Sequence, residues 1–317
     1  MGKYIIKRIL LLIPALLVVT VVTFGLMRLM PGSAVDLIQA KYTAMGVAVD
    51  ADTIRAQLGM DKPAAIQYFI WLGALFQGDM GRSLFQNLPV STLIAEKLPI
   101  TLELAILTLI FINVISIPLG VTSAARQDSA GDYIVRLLAV FLMAIPVFWL
   151  GTLVLIYPAR WWGYAPTITY VSLWKDFAAN MKMFLVPALL GAVTQLGMQL
   201  RMVRTSLLDV MRQDYVRTAW SKGIRESQVL YGHAFRNSLI PVITLIGGSI
   251  AGLVGGSVIL ENMFNIPGIG SCMVAALNTY DYPLVQGCVL VLSVIVMVVN
   301  LIVDVAYKWC DPRVKLD

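Results

Sequence analysis

Charge is what this chain has least of: Asp, Glu, Lys and Arg make up 13% of its 317 residues, against roughly 25% in a soluble domain. With 59% of its residues hydrophobic, that scarcity excludes a soluble globular protein and leaves a polytopic membrane protein. Histidine is nearly absent. His233 stands alone in a polar tract, far from any nucleophile in the apolar segments, where an imidazole is ordinarily solvated or a local hydrogen-bond donor, so an intramembrane hydrolase is not indicated. There is no GxxxxGK[ST] phosphate cradle and no HExxH pair. Cys272, Cys288 and Cys310 lie in or near the last two hydrophobic segments, without CxxC spacing or a neighbouring histidine, which gives neither a metal site nor a disulfide framework. No catalytic residue, metal ligand or bound cofactor is therefore assigned. If the protein's work is driven by a nucleotide, another polypeptide must hydrolyse it.

What is present is a series of long apolar runs. The first, Ile9–Met30, follows Lys3, Lys7 and Arg8. It exceeds the core of a signal peptide and matches the roughly 20 residues needed to cross a bilayer, so it reads as an uncleaved first span. Further spans are expected at about Leu98–Thr122, Ile134–Tyr157, Phe184–Met202, Ser238–Leu260 and Pro283–Ala306. The fold class is thus all-α integral membrane with six transmembrane helices. Residues 1–30 form the N-terminus and first span, 31–97 a long loop, 98–306 a five-span core interrupted by a polar loop at 203–237, and 307–317 the C-terminus. Within 31–97 the apolar stretch Gln67–Phe76 is too short to span and is expected to lie at the interface, with Pro63, Gly78 and Gly81 as helix start and turns.

Lys and Arg concentrate at the N-terminus and in the segments 123–135, 201–237 and 307–317, whereas the opposite loops carry few beyond the long first one, and none between Leu260 and Pro283. Long loops weigh little in the positive-inside rule, so both termini and the 203–237 loop are assigned to the cytoplasm. The net charge of +6 is explained by orientation in the membrane, and nucleic acid is not an expected partner.

The tract Gln213–Pro241 is the longest basic interval between two spans. Leu208, Met211, Tyr215 and Ala219 recur at helical spacing on one face, with Arg212, Arg217, Ser221 and Lys222 on the other, and Gly223 breaks the helix before a second short polar segment, Arg225–Arg236. Pattern alone leaves two readings, a structured helix pair offered to a partner or an amphipathic loop resting on headgroups. Within the spans, Glu103, Asn113, Gln195, Gln199, Gln286 and Asn300 are costly in lipid and are candidates for a protein interior or a water-filled pathway. Glu103 and Asp304 sit near span ends, where an anchoring role competes with proton relay. Gly248, Gly252 and Gly256 form a small-residue stripe suited to close helix approach.

The tract DYVRTAWSKGIRESQVLYGHAFRNSLIPVIT resembles the coupling segment of permease subunits in bacterial ABC importers of the dipeptide, oligopeptide and nickel family. RILLLIPALLVV, LGMDKPAAIQY, GDMGRSL, LPITLELAI, ENMFNIPGIG, DYPLVQG and VDVAYKWCDPRV resemble that family in the same order, so the likeness covers essentially the whole chain. Departures from the wider importer-permease pattern, at Arg217-Thr218-Ala219 and His233-Ala234-Phe235-Arg236, are themselves typical of the peptide branch. The resemblance implies a non-enzymatic permease of the inner membrane that works by alternating access. It further implies a second homologous permease, two cytoplasmic ABC ATPase subunits that hold the ATP and magnesium, and an extracytoplasmic solute-binding protein received by the outer loop. The residues matching the coupling motif are Tyr215, Arg217, Ala219, Lys222, Gly223, Ile224, Arg225 and Glu226, with Gly223 permitting the turn and an exposed Ile224 filling a partner pocket. Peptides are the expected solute, and nickel, glutathione or an oligosaccharide stay open. The rival from another class is a secondary transporter driven by an ion gradient, which calls for broken helices and ionisable groups repeated in two halves.

Overall fold

A computed structural model describes residues 2–163, 165–167, 169–225 and 228–310. Among them the chain is helical and contains no strand, only an isolated antiparallel bridge between Arg82 and Pro89. The helices, in order, are α1 (Gly2–Leu29), α2 (Ala34–Ala44), α3 (Ala51–Gln57), α4 (Ala64–Phe76), α5 (Val90–Ala125), α6 (Ala130–Ala144), α7 (Val147–Trp162), α8 (Phe177–Met211), α9 (Asp214–Ser221), α10 (Arg236–Met263, entered through a π-helical segment Val229–Phe235), α11 (Ile269–Asn278) and α12 (Tyr282–Cys310). Four of these contain a stretch long and apolar enough to cross a membrane alone, and two bent pairs pass the same test together.

The bent pairs are where the chain departs from the expected spans. The run read as one span over Ile134–Tyr157 is divided into α6 and α7, which meet at 91°. Pro146 has no N–H to continue α6 and drives Ile145 into extended backbone, φ −87° and ψ 124°, so the apolar run bends while its composition stays uniform. The second bent pair, Val229–Ser238 and Pro241–Ile250, turns by 51° beside Pro241. The second long helix also starts earlier than expected, at Val90, because Val90, Leu93 and Ile94 bury themselves against Ile269, Ala276, Leu284 and Val285.

The chain divides into two compact units. One comprises the residues up to Ile100 together with Pro267–Met297, and its core is the cluster just named. In it α4 lies along the last turns of α1, with the rings of Tyr68 and Trp71 at 5.3 and 6.2 Å from that of Phe24. Pro63 does precede α4, and Gly78 and Gly81 take the left-handed turns, φ +81° and +83°. Asp281 holds the segment before α5 by accepting from the Ser83 hydroxyl and the Leu84 N–H.

The other unit, Thr101–Ile266 and the segment from Val298, is built around α8, which packs on α6, α7 and α10. Close approach is set by single glycines. A Cβ at Gly197 would lie 2.5 Å from the Ala139 carbonyl oxygen, and one at Gly120 2.7 Å from Val203. Of the expected small-residue stripe, Gly252 touches Gln195 and Gly248 has open space, while the tight contact is made one residue away by Gly247 against Val303; the Gly256 contacts lie outside the described residues. Composition marks small residues without saying which of them faces the neighbouring helix, so Gly252 meets its neighbour while Gly248 yields that role to Gly247.

Candidate functional site

The basic tract folds as a hairpin, by local rules. α8 stops at Met211, and Gln213 in extended backbone, φ −73° and ψ 148°, starts α9. The face read as continuous from Leu208 to Ala219 is therefore broken at Arg212–Gln213, and α9 is turned relative to it. Val216 and Ala219 are its buried residues, whereas Tyr215 is 44% exposed, its hydroxyl accepting from Asn237 Nδ2 at 2.8 Å. α9 ends with the Gly223 N–H donating to the Trp220 carbonyl at 2.9 Å and the Ile224 N–H reaching the Ala219 carbonyl at 3.4 Å. That is a Schellman closure, with Gly223 in the left-handed region at φ +74° and the usual apolar contact between the residue after the glycine and the helix's last turn. It explains one correction: Ile224 is half-buried and packs on the same core as Ala219 instead of projecting for a partner.

That core joins Val121 and Ala124 of α5, Val203 and Leu207 of α8, Val216 and Ala219 of α9, and Val229, Ala234 and Val242. The second segment is not a separate polar helix, since Val229–Phe235 runs on without a break into α10. With its inner face so committed, the hairpin exposes Arg217, Trp220, Lys222 and Arg225 beside Tyr215, and among the described residues Arg217 has only a distant ion pair with Asp214, 4.0 Å. Among the expected coupling residues, Ala219 and Ile224 support the hairpin from within, and Tyr215, Arg217, Lys222, Gly223 and Arg225 lie on its surface. Glu226 and the His233 side chain lie outside the described residues.

The interior polar candidates separate. Glu103 accepts from Asn180 Nδ2 at 2.6 Å and from the Tyr170 hydroxyl at 3.1 Å. Asn180 also donates to the Val171 carbonyl at 2.9 Å, so Glu103 anchors the segment after α7. Burial, then the bond to Glu103, pushes the Tyr170 hydroxyl above its ordinary value and keeps it a donor. Gln199, fully buried, donates to Asn113 Oδ1 at 2.8 Å. Gln195 lines a cavity of about 160 Å³ with Thr108, Thr194 and Ser257. Gln286 is buried in the first unit, and Asn300 is exposed, not drawn into an interior with the others. No three His, Cys, Asp or Glu side chains converge as metal ligands would among the described residues.

One group escaped sequence reasoning. Asp132, with no exposed side-chain surface, accepts from Arg204 Nε at 2.6 Å and Nη2 at 2.7 Å, from Ser123 Oγ at 2.5 Å and from the Asp128 N–H at 2.9 Å. The spacing Ser129-x-x-Asp132, with the Ser129 side chain capping α6, marks a helix start. Nothing local points to Arg204, 72 residues and two spans away.

Residues 116–316 match the family described as binding-protein-dependent transport system inner membrane component, and residues 1–105 match its N-terminal membrane-component family. A putative peptide transport system permease protein of Brucella abortus (strain 2308) is 39% identical over the full length of both chains. An oligopeptide transport system permease protein of Bacillus subtilis (strain 168) is 36% identical across 99% of this chain and 100% of its own. A dipeptide transport system permease protein of Alkalihalophilus pseudofirmus is 33% identical at the same coverage.

Proposed function

The chain belongs to the family of binding-protein-dependent transport system inner membrane components, and from that premise we propose that it is one permease subunit of an ATP-driven importer of di- and oligopeptides. In this reading each bent helix pair counts as one span, giving six, with both termini in the cytoplasm. The chain pairs with a homologous permease, two ATPase subunits supply ATP and magnesium chemistry from the cytoplasmic side, and an extracytoplasmic binding protein delivers solute to the 31–97 loop. The observation that carries the reading is the hairpin. Its apolar face is spent on the ends of α5 and α8, so a push on its exposed face is transmitted to two spans, while Tyr215, Arg217, Lys222 and Arg225 remain available to a partner groove with acidic or apolar walls. The substrate class is supported by the peptide-transport names of the relatives.

In proteoliposomes holding the complete assembly, uptake of a labelled dipeptide is expected to need ATP inside, intact ATPase subunits and loaded binding protein, and to ignore ionophores. Uptake driven by an ion gradient without the ATPases would place the chain among secondary transporters.

Topology supplies an independent check. A cysteine at Arg225 is expected to react with an impermeant thiol reagent only in inverted vesicles, and one at Asp50 only from outside. Labelling of the Asp50 position from the cytoplasmic side would reverse the orientation and move the hairpin away from any ATPase.

A further inference from the structure

The first unit contains a basic pocket to which the transport reading assigns no role. Its volume is about 270 Å³, the room of about nine waters at roughly 30 Å³ each. Arg28, Lys62, Gln67, Tyr282 and Gln286 supply the polar wall, Phe24 and Trp71 an aromatic one, and no Asp or Glu lines it. Arg28 stacks on Phe24 with its guanidinium carbon 4.3 Å from the ring centroid, and it donates to Gln67, whose amide in turn donates to the Lys62 carbonyl at 2.6 Å. Neither cation has a carboxylate partner among the described residues, and Asp61, next to Lys62 in the chain, does not line the pocket. Gln286 is 7% exposed with no hydrogen-bond partner for its carboxamide among the described residues, and it borders the same space. Two cations and a buried, unspent amide donor describe a site for an oxyanion.

The surroundings identify its source. Arg28 sits in the last turn of α1, where that apolar span ends. α4 is fixed to the same turns of α1 by Tyr68, whose hydroxyl is 3.0 Å from Thr20 Oγ1, and by Trp71. It leaves Ile66, Phe69, Ile70 and Phe76 exposed, at 48%, 68%, 54% and 81%. An uncharged helix with an exposed apolar face, held at the end of a span among Trp and Tyr rings, belongs at the boundary between hydrocarbon and headgroups. We propose that this pocket binds the phosphate headgroup of an anionic phospholipid, with Arg28 and Lys62 pairing the phosphate, Gln286 completing its hydrogen bonds, and the acyl chains lying along the exposed face of α4. Basic pockets beside span ends recognise anionic headgroups by the same electrostatics. This site is independent of the transport reading.

The purified full-length chain, equilibrated in mixed micelles with phosphatidylglycerol or phosphatidylcholine and passed through gel filtration, tests it by the lipid retained per chain. Wild type is expected to keep about one more phosphatidylglycerol than phosphatidylcholine. The double variant Arg28→Gln, Lys62→Gln should lose that excess, binding phosphatidylglycerol at least tenfold more weakly, and Gln286→Leu should lose part of it. Arg28→Lys, which preserves the charge, should retain it, separating phosphate binding from a packing role for the guanidinium. Equal retention of both lipids by wild type, or undiminished phosphatidylglycerol on the double variant, overturns the proposal. If the double variant keeps its lipid but loses stimulation by an acidic extracytoplasmic protein in bilayers of phosphatidylcholine alone, the pocket receives that protein and the lipid assignment is wrong.

Discussion

Replacing Gly223 by aspartate is expected to leave the permease inserted and folded while uptake falls at least tenfold. Gly223 is at φ +74°, so any side chain there carries a backbone penalty of about 1 kcal/mol, too little to unfold a helix bundle of this size. None of the described residues lies within 4 Å of a Cβ at that position, so no clash with them is added. A carboxylate on the tip of the hairpin therefore harms function only if something external covers the tip and leaves it desolvated and unpaired. Gly223→Asn, which tolerates left-handed backbone without a charge, should fall between wild type and Gly223→Asp. Thermal stability in detergent, ATPase co-purification, hydrolysis and uptake measured on one preparation decide the matter. Normal uptake by Gly223→Asp with the ATPase still attached would return the hairpin to an amphipathic loop resting on headgroups.

That the polar tract turns at Gly223 was legible because the signal is local: few residues close a helix in left-handed backbone. The break at Arg212–Gln213 was not, because the apolar spacing from Leu208 to Ala219 runs across it. The membrane-embedded, all-helical class was legible from composition for the same reason that lipid excludes charge. What could not be read was everything decided by a partner far along the chain. Ile224 looked like a projecting anchor because its sequence neighbours are polar, yet the Schellman closure folds it back on Ala219. Asn113 and Gln199 were recognised as expensive in lipid, but that each answers the other, across 86 residues, follows from the packing of α5 on α8. The bend at Pro146 had a local cause and was missed because uniform hydropathy on both sides outweighed one proline. Gln286 was singled out as interior without the cations that give it a purpose, since Arg28 and Lys62 belong to segments more than two hundred residues earlier.

Asp132 and Arg204 yield the largest expected loss of stability. Arg204→Met removes the guanidinium that makes two bonds to a carboxylate with no exposed surface. Asp132 then keeps only the Ser123 hydroxyl and the Asp128 N–H close by, with Arg136 at 3.7 Å. Stranding one member of a buried pair costs about 3–5 kcal/mol, so Arg204→Met is expected to lower the melting temperature sharply and reduce the yield of folded chain. Asp132→Asn should be milder, because an amide can still hold Ser123. The pair Asp132→Leu with Arg204→Met should recover much of the loss, since two apolar groups of similar size leave no charge unpaired. Arg204→Met as stable as wild type would mean that water reaches Asp132 freely. The functional consequence is tied to position. Ser123 and Arg204 are each adjacent in sequence to residues of the core that seats the hairpin, Ala124 and Val203, so loosening the pair loosens the seat. Loss of ATPase binding in Arg204→Met should therefore track the fall in melting temperature and return with it in the double variant, whereas Gly223→Asp loses transport at an unchanged melting temperature. If ATPase binding stays lost in a double variant of restored stability, the ion pair acts on the hairpin through its charge and not through the seat it supports.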